Sequence, residues 1–287
     1  MTQRGQKMVI DVSAKTSGSR GSRGGDMDAA FARGLAYLID IPGDDFIGTP
    51  PQKIEGSAEF YSYQDMRFEK LLGYVARGEW PPRDEANLLS IGLFRSKNES
   101  VKLNGFDIYS VAESFFDARE FHWFIPTRLS MGATDMSYNV GGLIEFAMAA
   151  DPYAAQDPGT QAQMKQVLDV LQRYELNKPM MDFQFDWNWN AQSGAAKIAG
   201  NLGIDKFLTF DAAFEGGLPS FKAVSDLVPD NAEQTDFAAV GAVFEKASTL
   251  KLVSIDIVDN GGLDKSFGLA AEIAKLQASS PDAPNPM

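Results

Sequence analysis

The chain has 287 residues, enough for one large domain or two smaller ones with a shared core, and its 44% hydrophobic content is ordinary for a folded chain. Against 26 Lys and Arg stand 39 Asp and Glu, a formal net charge of −13, so phosphate backbones and anionic headgroups repel it and a nucleic-acid binder is excluded. The absence of cysteine removes disulfides, zinc fingers, iron–sulfur centres and thiol nucleophiles together.

No apolar run approaches the roughly 20 residues of a membrane helix, and the N-terminus lacks the apolar core of a signal peptide. Residues 1 to 7 read as an abrupt start. If the natural protein is exported, its signal or anchor precedes Met1.

Met8 to Lys15 is rich in β-branched residues and reads as a strand. It enters a loop over residues 17 to 25, whose Gly18, Gly21 and Gly24 lack the Gly-Lys-Ser/Thr ending and the spacing of nucleotide-binding loops. From Asp28 to Asp40, Phe31, Leu35 and Leu38 recur at four and three, which predicts a short amphipathic helix with Asp26 or Asp28 near its start. Pro42, Gly43, Pro50 and Pro51 impose irregular chain, and Ser57 to Phe68 reads as extended. Leu71, Leu72 and Val75 predict a helix that stops before Trp80-Pro81-Pro82.

Between Ala86 and Tyr138 the pattern predicts strands at Leu88 to Phe94, Val101 to Leu103, Phe106 to Val111, Ser114 to Phe124 and Thr127 to Met131. Ser96 to Glu99 and Asn104-Gly105 read as the turns between the first of them, which makes neighbours antiparallel. Phe115, Phe116, Phe121, Trp123 and Phe124 read as core around His122, the single histidine. With one histidine and no cysteine, only oxygen-rich metal sites remain open.

Asp157-Pro158 is an N-cap followed by proline at the first helical position. Met164, Val167, Leu168, Leu171 and Tyr174 extend the helix from Gly159 to Tyr174. It feeds into the most regular stretch of the chain, where Met181, Phe183, Phe185, Trp187 and Trp189 alternate with Asp182, Gln184, Asp186, Asn188 and Asn190. Ten alternating residues make a strand with one apolar and one polar face. Its four aromatics present roughly 600 to 1,000 Å², more than a monomer leaves bare, so this face needs a cover: a layer of helix, for which the preceding one is placed as a lid, a second sheet, a partner or an apolar ligand would each serve.

Ala191-Gln192-Ser193-Gly194 signals a hairpin. Ala196, Ile198, Leu202 and Ile204, then Leu208, Phe210, Ala212 and Phe214, carry the alternation through a three-stranded meander. Short helices follow at Phe221 to Val228 and Phe237 to Ala247. Leu250 to Val258 is a strand, and a helix follows bearing Leu263, Phe267, Ala270, Ala271 and Ala274, with Leu263, Phe267 and Leu269 or Ile273 expected to bury against one sheet face. From Gln277 to Met287 the chain reads as a disordered tail.

Residues that could carry chemistry are few. Asp182 and Asp186 lie about 13 Å apart along one strand face, beyond the roughly 6.5 to 9.5 Å of an inverting glycosidase pair, and read as solvated charges. Asp259-Asn260-Gly261-Gly262-Leu263-Asp264 lacks the ligand alternation and terminal Glu of a calcium loop and reads as turn and helix cap. Any Ser-His-acid triad would have to use His122, and no serine stands in Gly-x-Ser-x-Gly.

The succession Phe183-Gln-Phe-Asp-Trp-Asn-Trp-Asn-Ala-Gln-Ser-Gly194, Ile204-Asp-Lys-Phe-Leu-Thr-Phe210, Phe214-Glu-Gly-Gly-Leu-Pro219 and Val253-Ser-Ile-Asp-Ile-Val-Asp-Asn-Gly-Gly-Leu263 resembles the C-terminal part of proteobacterial envelope proteins. These are the YdgA-like and AsmA-like extended β proteins. The resemblance covers about the last 110 residues and brings no catalytic residues. It implies export, with a periplasmic or membrane-associated location through an N-terminal segment that this chain lacks, and an apolar β groove for acyl chains.

The expected fold is α+β, a large twisted, mostly antiparallel sheet with helices 159 to 174 and 263 to 276 on one face. It is expected to be a single extended unit with sub-regions 1 to 150 and 151 to 287. The expected function is that of a non-enzymatic envelope protein that binds or guides a lipid-like ligand, using Phe185, Trp187, Trp189 and Phe210, with no cofactor and with an envelope protein as a second kind of partner. The alternatives are a structural or interaction module with a closed core, and an esterase using His122.

Overall fold

A computed structural model describes residues 8–43, 51–151, 156–227 and 236–278. In chain order they form β1 (Val9–Ser13), β2 (Thr16–Arg20), β3 (Met27–Ile41), β4 (Gln52–Met66), α1 (Glu69–Arg77), β5 (Gly92–Leu103), β6 (Phe106–His122), β7 (Ile125–Tyr138) and α2 (Val140–Ala150). Then come α3 (Pro158–Arg173), β8 (Met180–Trp189), β9 (Ala195–Ile204), β10 (Leu208–Gly217), α4 (Phe221–Ser225), α5 (Phe237–Ala247), β11 (Thr249–Asp259) and α6 (Gly262–Ala278).

From β3 to β11 each strand pairs antiparallel with the next, and β1 and β2 lie end to end along β3, giving one eleven-stranded sheet. The pairing of β7 with β8 joins the strands on either side of residue 150. Short turns join β5 to β6, β6 to β7, β8 to β9 and β9 to β10, where sequential strands pair at little loop-closure cost, while helices fill the longer connections before β5, β8 and β11. At Asn104-Gly105 both residues have positive φ, 49° and 87°, as the tight hairpin turn requires.

Paired residues share a face, so the register traces the two surfaces. One row runs Ile255, Ala212, Gly200, Phe185, Met131, Phe116, Phe94, Tyr63, Ala30 from β11 to β3. The opposite surface carries Asp256, Asp211, Asn201 and Gln184 in one row. The alternation read in residues 181 to 190 therefore extends across the whole sheet as one apolar and one polar face.

Five strands change parity part of the way along. Gly34, Asn98 and Asp135 have positive φ, at 58°, 49° and 49°, and the Asn98 amide reaches Glu59 on β4 at 2.5 Å. Tyr61 is paired with Ser96, yet its hydroxyl bonds Glu99, which only a flip between Ser96 and Glu99 allows. Such single-residue irregularities bend and twist strands.

This line of breaks accounts for two corrections. The predicted helix from 28 to 40 is the strand β3: Ala30 and Ala32 line the apolar face before Gly34, and Leu35, Tyr37 and Ile39 line it afterwards. A parity change in mid-strand imitates helical spacing. Ser96 to Glu99, read as a turn, lies inside β5, where Asn98 adopts the left-handed conformation that asparagine tolerates. The loop expected over 17 to 25 is replaced in its first part by β2, and Asp26 caps α1 instead of a helix nearby, accepting the Phe68 and Glu69 amides at 2.8 and 2.7 Å.

Other expectations hold. Helix α3 begins at Pro158 behind the Asp157 cap, α1 ends at Gly78 in the left-handed conformation, and Asp259 caps α6 through the Gly261 and Leu263 amides. Helix α2 is an addition to the predicted set, with Asn139 as its cap. Val228 and residues 279–287 of the expected tail lie outside the described residues, whereas Gln277 and Ala278 end α6.

The helices do not form the expected layer. Helix α2 is the one that packs most against a strand, on β6, while α3 packs on α2 and α6, and α4 on α5. Glu175, after α3, pairs with Lys206 and Lys265 at 3.2 and 3.1 Å, which ties this group to the end of the sheet where β9 turns into β10. The lid expected over the aromatic strand is thus spent on other helices. Of the α6 residues expected to bury against the sheet, Leu263 and Phe267 are 60% and 72% exposed, whereas Leu269 and Ile273 are half-buried, as is Leu276.

Among the described residues two clusters of closed core stand out, while single buried residues such as Val111, Ala133 and Val170 lie elsewhere. Leu89, Ala118 and Phe121 are packed by Phe68, Leu71, Phe116, Phe124 and Leu129. Trp189, Ala196 and Phe221 are packed by Trp123, Trp187, Ala191 and Leu218. The chain's accessible surface, 18474 Å², is well above the roughly 12,000 Å² of a compact protein of this mass. A single sheet with no helix layer over its apolar face contributes to that excess.

Candidate functional site

The strongest candidate is the apolar face itself. On β8 the side chains of Met181, Phe183, Phe185 and Trp187 are half-buried. Neighbours on the same face, Ile198 and Leu202 of β9 and Phe210 and Phe214 of β10, are half-buried too. These side chains shield one another laterally, and Gly200, beside Phe185, leaves a dip between two aromatic rows.

Three of the four residues singled out in the sequence, Phe185, Trp187 and Phe210, lie on this surface. Phe185 sits between Met131 and Gly200, and Phe210 between Leu202 and Ile257. Trp187 is held by an indole hydrogen bond to the Pro126 carbonyl at 3.0 Å. Trp189 is different: it is 8% exposed, closed under Phe221 of α4. The turn end of the strand is thus the plugged one. The strand's alternation does not encode a cover that comes from α4, some thirty residues further along the chain.

Towards β3 the apolar face carries a belt of phenols that sequence reasoning missed. Tyr37, Tyr109 and Tyr138 lie in one register row through Gly56 and Val101. The Tyr37 ring lies over Gly56, where a Cβ would come within 2.0 Å of it, and the Tyr109 and Tyr138 rings are 5.2 Å apart. Tyr61 donates to Glu99, a half-buried carboxylate in an otherwise apolar setting. The usable signal was the odd-numbered run Leu35, Tyr37, Ile39, Ile41, which the helical reading of residues 28 to 40 obscured.

Burial, and then the Glu99 carboxylate, push the Tyr109 phenol up to about 12 and the Tyr61 phenol higher still; burial raises Tyr37 and Tyr63 as well. The folded state therefore favours the protonated phenols. This stabilisation is complete below the ordinary phenol value of 10.0 and is lost as pH rises towards the folded value of about 12 for Tyr109. Thermal melts followed by circular dichroism should lose stability steeply in that window, and Tyr109→Phe should flatten the loss. A melting temperature that stays level through it would show that the belt is not held protonated by the fold.

The polar face offers less. A cleft of about 710 Å³ is lined by His122, Arg128, Asn188, Lys197, Glu215 and Lys251 among others. The His122 ring packs edge-on against Phe221 at 4.4 Å, and among the described residues no serine hydroxyl or carboxylate is bonded to it, so no triad is assembled there. Asp186 accepts from Ser130 and Gln184, and Asp182 from the Asp135 amide. These are ties within the sheet. Among the described residues no group of three or more acidic or histidine side chains could hold a metal ion, and no helix is long and apolar enough to cross a membrane.

No family model matches the chain, and neither does any curated protein or solved structure.

Proposed function

We propose that this chain is a non-enzymatic envelope protein whose apolar sheet face binds or guides a lipid-like ligand, aligned across the strands. The observation that carries this reading is the continuous apolar row from Ile255 to Ala30, whose middle side chains are half-buried under no helical layer. An acyl chain is a fitting occupant, because burial of its methylenes contributes about 0.8 kcal/mol each and needs no matching polar groups. Phe185, Trp187 and Phe210 would line its path, with Trp189 as the plug at one end. The Tyr37, Tyr61 and Tyr109 hydroxyls with Glu99 supply a polar station on the same face. The resemblance to extended β envelope proteins supports a periplasmic or membrane-associated setting.

Native mass spectrometry of gently purified protein, followed by solvent extraction, should release acyl species. A fluorescent fatty acid should quench tryptophan emission saturably, and Phe185→Glu should weaken this at least tenfold, because a charge against an acyl chain costs more than about 1.4 kcal/mol. No extracted lipid together with no saturable signal would remove the proposal.

A further inference from the structure

The two edges of the sheet are built differently. One is broken into the short strands β1 and β2, the usual protection against edge-to-edge pairing. The other, β11, is eleven residues long, and every residue in it is exposed. Leu250, Leu252, Val253, Ile255, Ile257 and Val258 are each 48% to 65% exposed. They put on the order of 600 Å² of apolar surface on one edge, beyond the few hundred that a monomer leaves bare.

We infer that β11 pairs antiparallel with β11 of a second copy of this chain, about a two-fold axis at Ile255 that runs through the sheet. The strand's own sequence selects the partner and the register. With the axis at Ile255, Ile255 faces its own copy, Val253 faces Ile257, Leu252 faces Val258, and Ser254 faces Asp256, a hydroxyl donor against a carboxylate. Lys251 near one end comes beside Asp259 at the other. Moving the axis to Ser254 sets Leu252 against Asp256 and Lys251 against Ile257. Moving it to Asp256 sets two like charges directly opposite, which is destabilising. The hydrophobic match therefore survives in one register, as an isologous interface requires.

The same axis gives an occupant to other exposed groups. Antiparallel pairing brings the start of one β11, next to α5, to the end of the other, next to α6. Phe237 and Phe244 of α5 are 78% and 42% exposed, and Leu263 and Phe267 of α6 are 60% and 72% exposed. These helices extend the apolar surface of the edge towards the roughly 800 Å² per partner of a stable interface. A two-fold axis through the sheet keeps each face on its own side, so the apolar face runs on from one copy into the next.

Light scattering coupled to size exclusion on the full chain should give twice the 31.3 kDa of one chain. Ile255→Asp should return it to the monomer mass with an unchanged circular dichroism spectrum, because Ile255 is 63% exposed on the sheet edge. The chain has no cysteine, so Ile255→Cys introduces a single thiol that meets its copy within disulfide reach and should cross-link under mild oxidation. Val253→Cys should not, since its copy lies on the far side of the axis. A monomer at all concentrations, a dimer that survives Ile255→Asp, or cross-linking at Val253 in preference to Ile255 would each overturn the inference.

Discussion

Replacing Trp189 by alanine is expected to cost about 3 to 5 kcal/mol, the range for truncating a large buried aromatic. That is a large share of a typical stability of about 5 to 15 kcal/mol. The indole is 8% exposed and forms a cluster with Ala196 and Phe221, against which Trp123, Trp187 and Leu218 pack. In a sheet without a second layer the two end clusters hold much of the closed core, so few neighbours remain to compensate. Among the described residues the buried Trp189 Nε1 has no hydrogen-bond partner, and such an orphan donor costs about 1 to 3 kcal/mol. Trp189→Phe removes that donor while keeping most of the ring volume, so it should be much milder than alanine. Urea midpoints of the two variants check this, and equal losses would show that the cluster does not pack around the ring.

Gly194→Val should be nearly as damaging, at about 3 kcal/mol, through the backbone this time. Gly194 has φ +75°, and a Cβ there would meet the Leu218 carbonyl oxygen at 2.0 Å. A left-handed conformation costs a side-chain-bearing residue about 1 to 2 kcal/mol, and a β-branched one tolerates it least. The clash is with backbone that cannot swing aside, because the Leu218 amide donates to the Gly194 carbonyl at 2.8 Å. That bond ties the β8–β9 hairpin to the end of β10, so the substitution should also loosen α4 over Trp189. Gly203→Ala is the control: nothing lies within 4 Å of a Cβ there, and its effect should stay within about 1 kcal/mol. Similar losses at both glycines would argue for a general intolerance of the β8–β9 hairpin instead of the contact with Leu218.

Both expectations concern contacts between segments distant in sequence, which no local pattern records. The local pattern by itself determined the aromatic strand β8, the hairpins around it, α3 behind its Asp157 cap and the mostly antiparallel sheet. In each of these the periodicity runs unbroken between recognisable turns, so neighbouring residues alone carry the signal. Composition determined as firmly that thiol and multi-histidine chemistry are out of reach.

Only the tertiary structure decided the rest. Residues 28 to 40 and 96 to 99 become strand because their partners on β4 and β6 hold the register while Gly34 and Asn98 reverse the parity, and no single-strand pattern records a partner. Trp189 is closed and Phe185 half-open because Phe221 reaches one and no helix layer lies over the other. Leu263 and Phe267 have helical spacing that fits burial equally well on either side of α6. The contact that decides the side is Tyr174, which leans against Gly268.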